Sequence, residues 1–363
     1  MKELTLTNKA IARGAYEAGV KVLSAYPGTP STEIAENFAK MSGVYAEWAP
    51  NEKVAVEVAL GASVAGARAM ACMKHVGLNV AADPLFTASY TGVNGGLVIV
   101  VADDPGMHSS QNEQDSRYYA RSAHVPMLEP SNASEAKEFV KLAYAWSEQF
   151  DTPVLIRETT RVAHSHGVIE LCEREELPLK TYEKASNKYV MMPANAIKRH
   201  VVVEERDKAL SEFVNTADIN RAEYTSEEEI GVVCSGVVYE YVKEALPNVN
   251  VYKVGTVYPL PLDAIKAFAK RVKKLIVIEE LEPYMEDALK AVGVACEGKS
   301  MFSLQGELSV LKIAQAFSGA DAPKAEQVPP RLGLILDIGQ RIIVHGFCEI
   351  NGIEHLDPIP APL

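Results

Sequence analysis

The chain has 363 residues, 48% of them hydrophobic and 23% charged, which is the make-up of an ordinary globular protein of about two domains. Its net charge of −12 argues against nucleic-acid binding, which needs a basic face. Five cysteines, at 72, 172, 234, 296 and 348, include no C-x-x-C pair; this fits a reducing cytoplasm and offers no zinc or iron–sulfur ligand set.

The opening segment, MKELTLTNKAIARGAYEAG, has no apolar core of a signal peptide. Residues 8–19 read as a helix and 20–26 as a strand. The turn Pro27-Gly28-Thr29-Pro30 then leads into another helix near Ser31, with Thr29 expected as its N-cap and Pro30 at its first position. A helix start after a strand presents free N–H groups and suits a carboxylate, although capping alone also accounts for Thr29. After a strand at 44–48, Glu52 stands at a helix start. Small residues follow at Ala55, Ala59, Gly61, Ala62 and Gly66. Glycine in a helix costs roughly 0.5–1 kcal/mol relative to alanine, so Gly61 and Gly66 are expected where another backbone packs closely. The apolar stretch 54–73 contains Glu57 and Arg68 and reads as a core helix, not a membrane span.

Strands are expected at 69–73, 97–102 and 154–157, and a helix at 135–150. Strands alternating with helices indicate a parallel sheet covered on both faces. Ligands of such sheets lie off the carboxyl ends of the strands. The polar loops near Thr29, at Lys74-His75-Val76-Gly77 and at 103–114 would share that edge. His75 alone reads as a structural histidine; His75, Asn79, His108 and Gln111 on one rim read as a site.

From about 170 to 229 the pattern loosens, with one substantial helix expected at 201–217. The run Glu227-Glu228-Glu229 reads as a solvated boundary. A second α/β unit follows, with strands at 230–234, 249–254 and 275–279, a helix from Leu262 and another at 284–291. The segment GVACEGKS at 293–300 satisfies the P-loop pattern. A P-loop needs a strand before its first glycine and a helix at its lysine. Neither is expected here, so ATP binding is rejected, and without a G-x-G-x-x-G a nicotinamide site is poorly supported.

Glu52 with Gly61 and Gly66 resembles the pyrimidine-binding domain of thiamine-diphosphate enzymes. Tyr26-Pro27-Gly28-Thr29-Pro30-Ser31, Lys74-His75-Val76-Gly77-Leu78-Asn79 and DDPGMHSSQNEQ at 103–114 resemble the α subunits of indolepyruvate ferredoxin oxidoreductase, over about residues 1–330. Ser235-Gly236 and Val257-Tyr258-Pro259 resemble the transketolase-type C-terminal domain, a dimerisation and docking element. The resemblance implies two doubly wound α/β domains: a pyrimidine-binding domain at 1–165 and a transketolase C-terminal-like domain at 229–320. A helical linker at 166–228 and a divergent tail at 321–363 complete the chain.

It also implies thiamine diphosphate as cofactor, with Glu52 on its aminopyrimidine, favouring the imino form, and Gly28, Gly77 and Asn79 around it. His75 would join Glu52 as a catalytic residue, while Thr29, His108 and Gln111 would meet the substrate. The implied reaction is oxidative decarboxylation of indolepyruvate and other arylpyruvates to acyl-CoA. Its implied partners are a β subunit, ferredoxin and coenzyme A, in a cytoplasmic dimer. No Gly-Asp-Gly diphosphate signature occurs, and after Pro329-Pro330-Arg331 the sequence resembles nothing in the family. The pyrophosphate-binding domain with its Mg²⁺, and the iron–sulfur clusters, are therefore expected from outside these residues. A natural half-subunit and a truncated product both remain open. So do a non-oxidative decarboxylase or transketolase-like component, and a non-catalytic binding module.

Overall fold

Alternating strands and helices build two sheets and a short ribbon. The strands, in chain order, are β1 (Lys2–Leu6), β2 (Val22–Ala25), β3 (Tyr45–Trp48), β4 (Ala69–Lys74), β5 (Leu97–Asp103), β6 (Met127–Leu128) and β7 (Val154–Thr159). There follow β8 (His166–Glu170), β9 (Arg221–Glu223), β10 (Ile230–Ser235), β11 (Asn250–Val254), β12 (Thr256–Tyr258) and β13 (Lys274–Ile278). The computed structural model describes residues 1–225 and 229–318. Glu227, Glu228, Cys348 and the tail expected at 321–363 lie outside the described residues.

The larger sheet has the order β12-β6-β7-β5-β4-β2-β3. It is parallel except at β12, which pairs antiparallel with β6. Its centre is made of β4 and β5, whose runs AMACMK and LVIVVAD are buried at every residue. Helices on both faces of a parallel sheet demand such unbroken apolar strands. The helices Thr7–Glu17, Thr32–Phe38 and Ala133–Phe150 pack on one face through Ile11, Phe38 and Val140. Glu52–Val64, Ala82–Thr91 and Arg117–Ala123 cover the other through Val56, Leu85 and Ala120. The second sheet, β13-β10-β11-β9, is parallel except for the edge strand β9. One face of it, through Val233, Val254 and Val277, continues the same core that Val56 and Leu85 belong to.

Several expectations change in detail. The helix expected at 201–217 is Pro193–Phe213, with proline in its first turn, where a missing N–H costs nothing. Its first two turns bury no residue, even Ile197 being exposed, so core-facing spacing marks only its second half. β12 follows the second unit's β11 in sequence yet joins the first sheet, and β1 pairs antiparallel with β8. Beyond β8 the chain straps across the first unit: Glu175 N–H donates to Glu17 O at 2.8 Å and Lys180 N–H to Gly66 O at 3.0 Å. Close packing holds for Gly66 alone of the two helix glycines. Gly66 sits at φ +98° with the Lys180 carbonyl 1.9 Å from where a Cβ would be, while a Cβ on Gly61 would meet nothing within 4 Å.

Two buried arginines lie at the seam between the units, Arg117 bonding across it and Arg157 through Glu129. Arg117 donates to Asp115 (2.6 Å), to Glu279 (2.5 Å) at the end of β13 and to the Glu280 carbonyl (3.0 Å). Arg157 on β7 donates to Asp103 at 2.7 Å and to Glu129, which also accepts the Ser235 hydroxyl at 2.9 Å. The segment 293–300 forms no P-loop. Lys299 Nζ donates to the Glu279 carbonyl and its amide to Glu286, each at 2.7 Å, and the next helix starts only at Val310.

Candidate active site

The parallel strands β2, β4, β5 and β7 end on one edge of the larger sheet, and the loops that follow them meet there. After β4 a short helix, His75–Val80, packs beside the start of Glu52–Val64. Asn51 caps the latter, its side-chain oxygen accepting the Val54 N–H at 3.0 Å. This sets Glu52 in the first turn with its carboxyl laid on Gly77: a Cβ at residue 77 would be 2.5 Å from both Glu52 Cγ and Oε1. Burial raises the Glu52 carboxyl above its ordinary range, against a hydrogen bond from its own backbone N–H. Among the described residues no other group hydrogen-bonds to it. A half-buried acid whose one hydrogen bond is to its own backbone, in a cradle that only glycine leaves open, fits the aminopyrimidine end of thiamine diphosphate. No group of three or more described His, Cys, Asp or Glu side chains is placed to hold a metal ion, and the described residues identify no ligands for Mg²⁺.

The loop after β5 covers the same edge and is held from several sides. Asp104 accepts the Ser109 N–H (2.9 Å) and the hydroxyls of Ser110 (2.6 Å) and Thr160 (2.7 Å). Burial alone would raise that carboxyl; these hydrogen bonds and nearby Lys74 hold it below its usual value. Glu113 accepts the Gly106 N–H at 2.6 Å. Lys74 Nζ donates to the Ser109 carbonyl at 2.5 Å, and the Ser109 hydroxyl donates to the Thr29 carbonyl at 3.3 Å. The three loops therefore share one rim.

The rim residues differ in what they can reach. His75 is 1% exposed, with Nε2 3.2 Å from the Asn112 carbonyl and Nδ1 buried without a protein partner. Its ring anchors the loop and is closed to solvent. Thr29 is exposed but is not a helix cap. Gly28 O accepts the Ser31 N–H (2.9 Å) and hydroxyl (3.0 Å), closing a turn, and the helix begins only at Thr32. A helix N-terminus is therefore not what Thr29 would offer an anion. Gly28 packs on Lys74, with its would-be Cβ 3.3 Å from Lys74 Cβ. Gln111 and Asn79 are exposed. His108 points its Nε2 to Glu307 of the second unit, at 3.1 Å. Sequence reasoning passed over Lys74, Asp104, Thr160 and Glu307. Lys74 and Asp104 lie inside the recognised words, whereas nothing local marks Thr160 or Glu307.

The fold is that of a known thiamine-diphosphate class. A solved 2-oxoglutarate:ferredoxin oxidoreductase from Magnetococcus marinus superposes with a TM-score of 0.72 at 18% identity, over 86% of this chain and 64% of that one. A split-gene transketolase superposes with a TM-score of 0.56 at 14% identity, over 86% of this chain and 96% of that one. A sequence profile described as pyruvate flavodoxin/ferredoxin oxidoreductase, thiamine diphosphate-binding, matches residues 13–231. The chain belongs to this family. Among its relatives, the indolepyruvate oxidoreductase subunit IorA of Archaeoglobus fulgidus is 44% identical over 307 residues, 81% of this chain and 49% of that protein. The chain thus spans about half the length of that relative. No described helix is long and apolar enough to cross a membrane.

Proposed function

We propose that the chain is a subunit of a thiamine-diphosphate-dependent oxidoreductase that oxidatively decarboxylates indolepyruvate and other arylpyruvates. In this reading the substrate carboxylate leaves as CO₂, the acyl group passes to the coenzyme A thiol, and two electrons pass to ferredoxin. Residues 1–165 bind the pyrimidine, 229–320 form the transketolase C-terminal-like domain, and 166–228 link them. A β subunit and a pyrophosphate-binding domain complete the assembly. The observation that carries the reading is the Glu52 carboxyl, raised by burial and laid over Gly77 with no side-chain partner among the described residues. Relatives named for indolepyruvate oxidation support the substrate class.

Thiamine diphosphate, when bound, supplies a carbon nucleophile for the 2-oxo group and an electron sink for the decarboxylation. Glu52 would hold a proton at its carboxyl oxygen against a nitrogen of the aminopyrimidine, and its partial burial favours the protonated acid. Gly77 leaves the space for it. Thr29, His108 and Gln111 would meet the 2-oxoacid, and His75 and Lys74 hold the 103–114 loop in place over the edge.

The test is the assembled complex with indolepyruvate, coenzyme A and ferredoxin. Ferredoxin reduction that depends on coenzyme A is expected, and Glu52→Gln should lower turnover by about 100-fold or more, within the usual range for a lost acid–base group, with an unchanged melting temperature. Aldehyde release without ferredoxin reduction would instead identify a non-oxidative decarboxylase.

A further inference from the structure

We infer that Glu307, carried by the second α/β unit, is a positioning residue of the site: its carboxylate holds His108 and the tip of the loop that carries it. Glu307 Oε2 lies 3.1 Å from His108 Nε2 and accepts from Arg161 Nε at 2.6 Å, while Oε1 accepts from Arg161 Nη2. Arg161 follows Thr160, whose hydroxyl holds Asp104 at the other end of the loop. Glu307 is itself fixed from its own side. Its carbonyl accepts Lys312 Nζ at 2.6 Å, and the next residue, Leu308, donates its N–H to the buried Glu280 at 2.8 Å.

A second contact at the same place is independent of charge. Gly106 lies at φ +81°, and a Cβ there would stand 3.4 Å from Glu307 N and 3.5 Å from Gly306 Cα. The tip of the loop thus faces the 306–307 backbone across a gap that a single methyl group would fill. Arg161 and His108 together keep the Glu307 carboxyl below its ordinary value despite partial burial, so it is an acceptor at any physiological pH. An acceptor on Nε2 requires the hydrogen there and leaves Nδ1 as the ring atom free to meet a ligand. The second unit therefore takes part in the rim, beyond any role in docking.

This inference rests on the reading that His108 meets the 2-oxoacid, and the test separates the two. Arg161 and His108 are largely exposed, and exposed ion pairs contribute little to stability, so Glu307→Ala should fold normally. In the full chain, amide hydrogen exchange at 106–110 should quicken by about tenfold in Glu307→Ala, with 112–116 unchanged because His75 holds Asn112. In the assembled complex the KM for indolepyruvate should rise by about tenfold with kcat within twofold, and Glu307→Asp should restore most of the loss. Unchanged exchange at 106–110 would overturn the inference, as would a fall in kcat at constant KM. If exchange quickens but the wild-type complex oxidises no arylpyruvate, the proposed function fails while the positioning of the loop by Glu307 stands.

Discussion

At the scale of single residues, the acids of the larger sheet divide by what surrounds them. Asp103 and Asp104 sit in dense donor sets, whereas Glu158 on β7 is fully buried and neither of its oxygens has a partner in the protein. Burial, and secondarily the nearby Glu33, push the Glu158 carboxyl well above its ordinary 4.5. An acid whose folded-state value is raised favours the fold fully below the unfolded value and loses that contribution as pH rises through the folded one. Glu158→Gln cannot ionise. Its melting temperature should therefore fall less than that of the wild type between pH 5 and pH 9, and exceed it at the alkaline end. Parallel melting curves would mean that Glu158 ionises in the folded protein as readily as in the unfolded chain, and that burial does not raise it. His75 makes the complementary point: a histidine in a recognised word serves its loop from inside the protein.

At the scale of elements, the helix carrying Glu52 shows how alike two glycines look in sequence and how unlike they are in place. Gly66 ends the helix region at positive φ beneath the strap at 180, and an added methyl would overlap the Lys180 carbonyl. Gly66→Ala should cost about 2–4 kcal/mol in denaturant unfolding, because both backbone strain and a displaced strap contribute. Gly61 is helical with open space around it, so Gly61→Ala should gain about 0.5–1 kcal/mol from helix propensity. Equal effects at the two positions would contradict this account. Apolar spacing locates a helix, but it does not say which of its small residues has a neighbour.

At the scale of the whole molecule, the two sheets share a core and a buried charged seam. Arg117 is nearly inaccessible and binds Asp115 and Glu279, 162 residues apart from the latter in sequence. Removing one partner of a buried ion pair leaves the other charge unmatched and typically costs about 3–5 kcal/mol. Arg117→Leu should lose stability of that order in equilibrium unfolding, leaving Asp115 and Glu279 buried without their cation. A loss below about 1 kcal/mol would show that the shared apolar core alone joins the units.

Sequence alone determined the parallel sheet, through unbroken apolar runs at 69–73 and 97–102, and the helix start at Glu52, through local pattern and family resemblance. It also placed the polar loops on one edge, since strands running the same way end together. Only the tertiary structure decided which side chains of that edge reach outward. His75 is buried because its loop folds over it; Thr29 lies within a turn because Gly28 and Ser31 bond to each other before the helix can begin. Glu307 meets His108 across 199 residues of chain. Hydrophobic periodicity specifies the face an element buries, because burial of apolar area drives it. It carries no information about the polar tips on the opposite side, whose partners are set by how whole units pack.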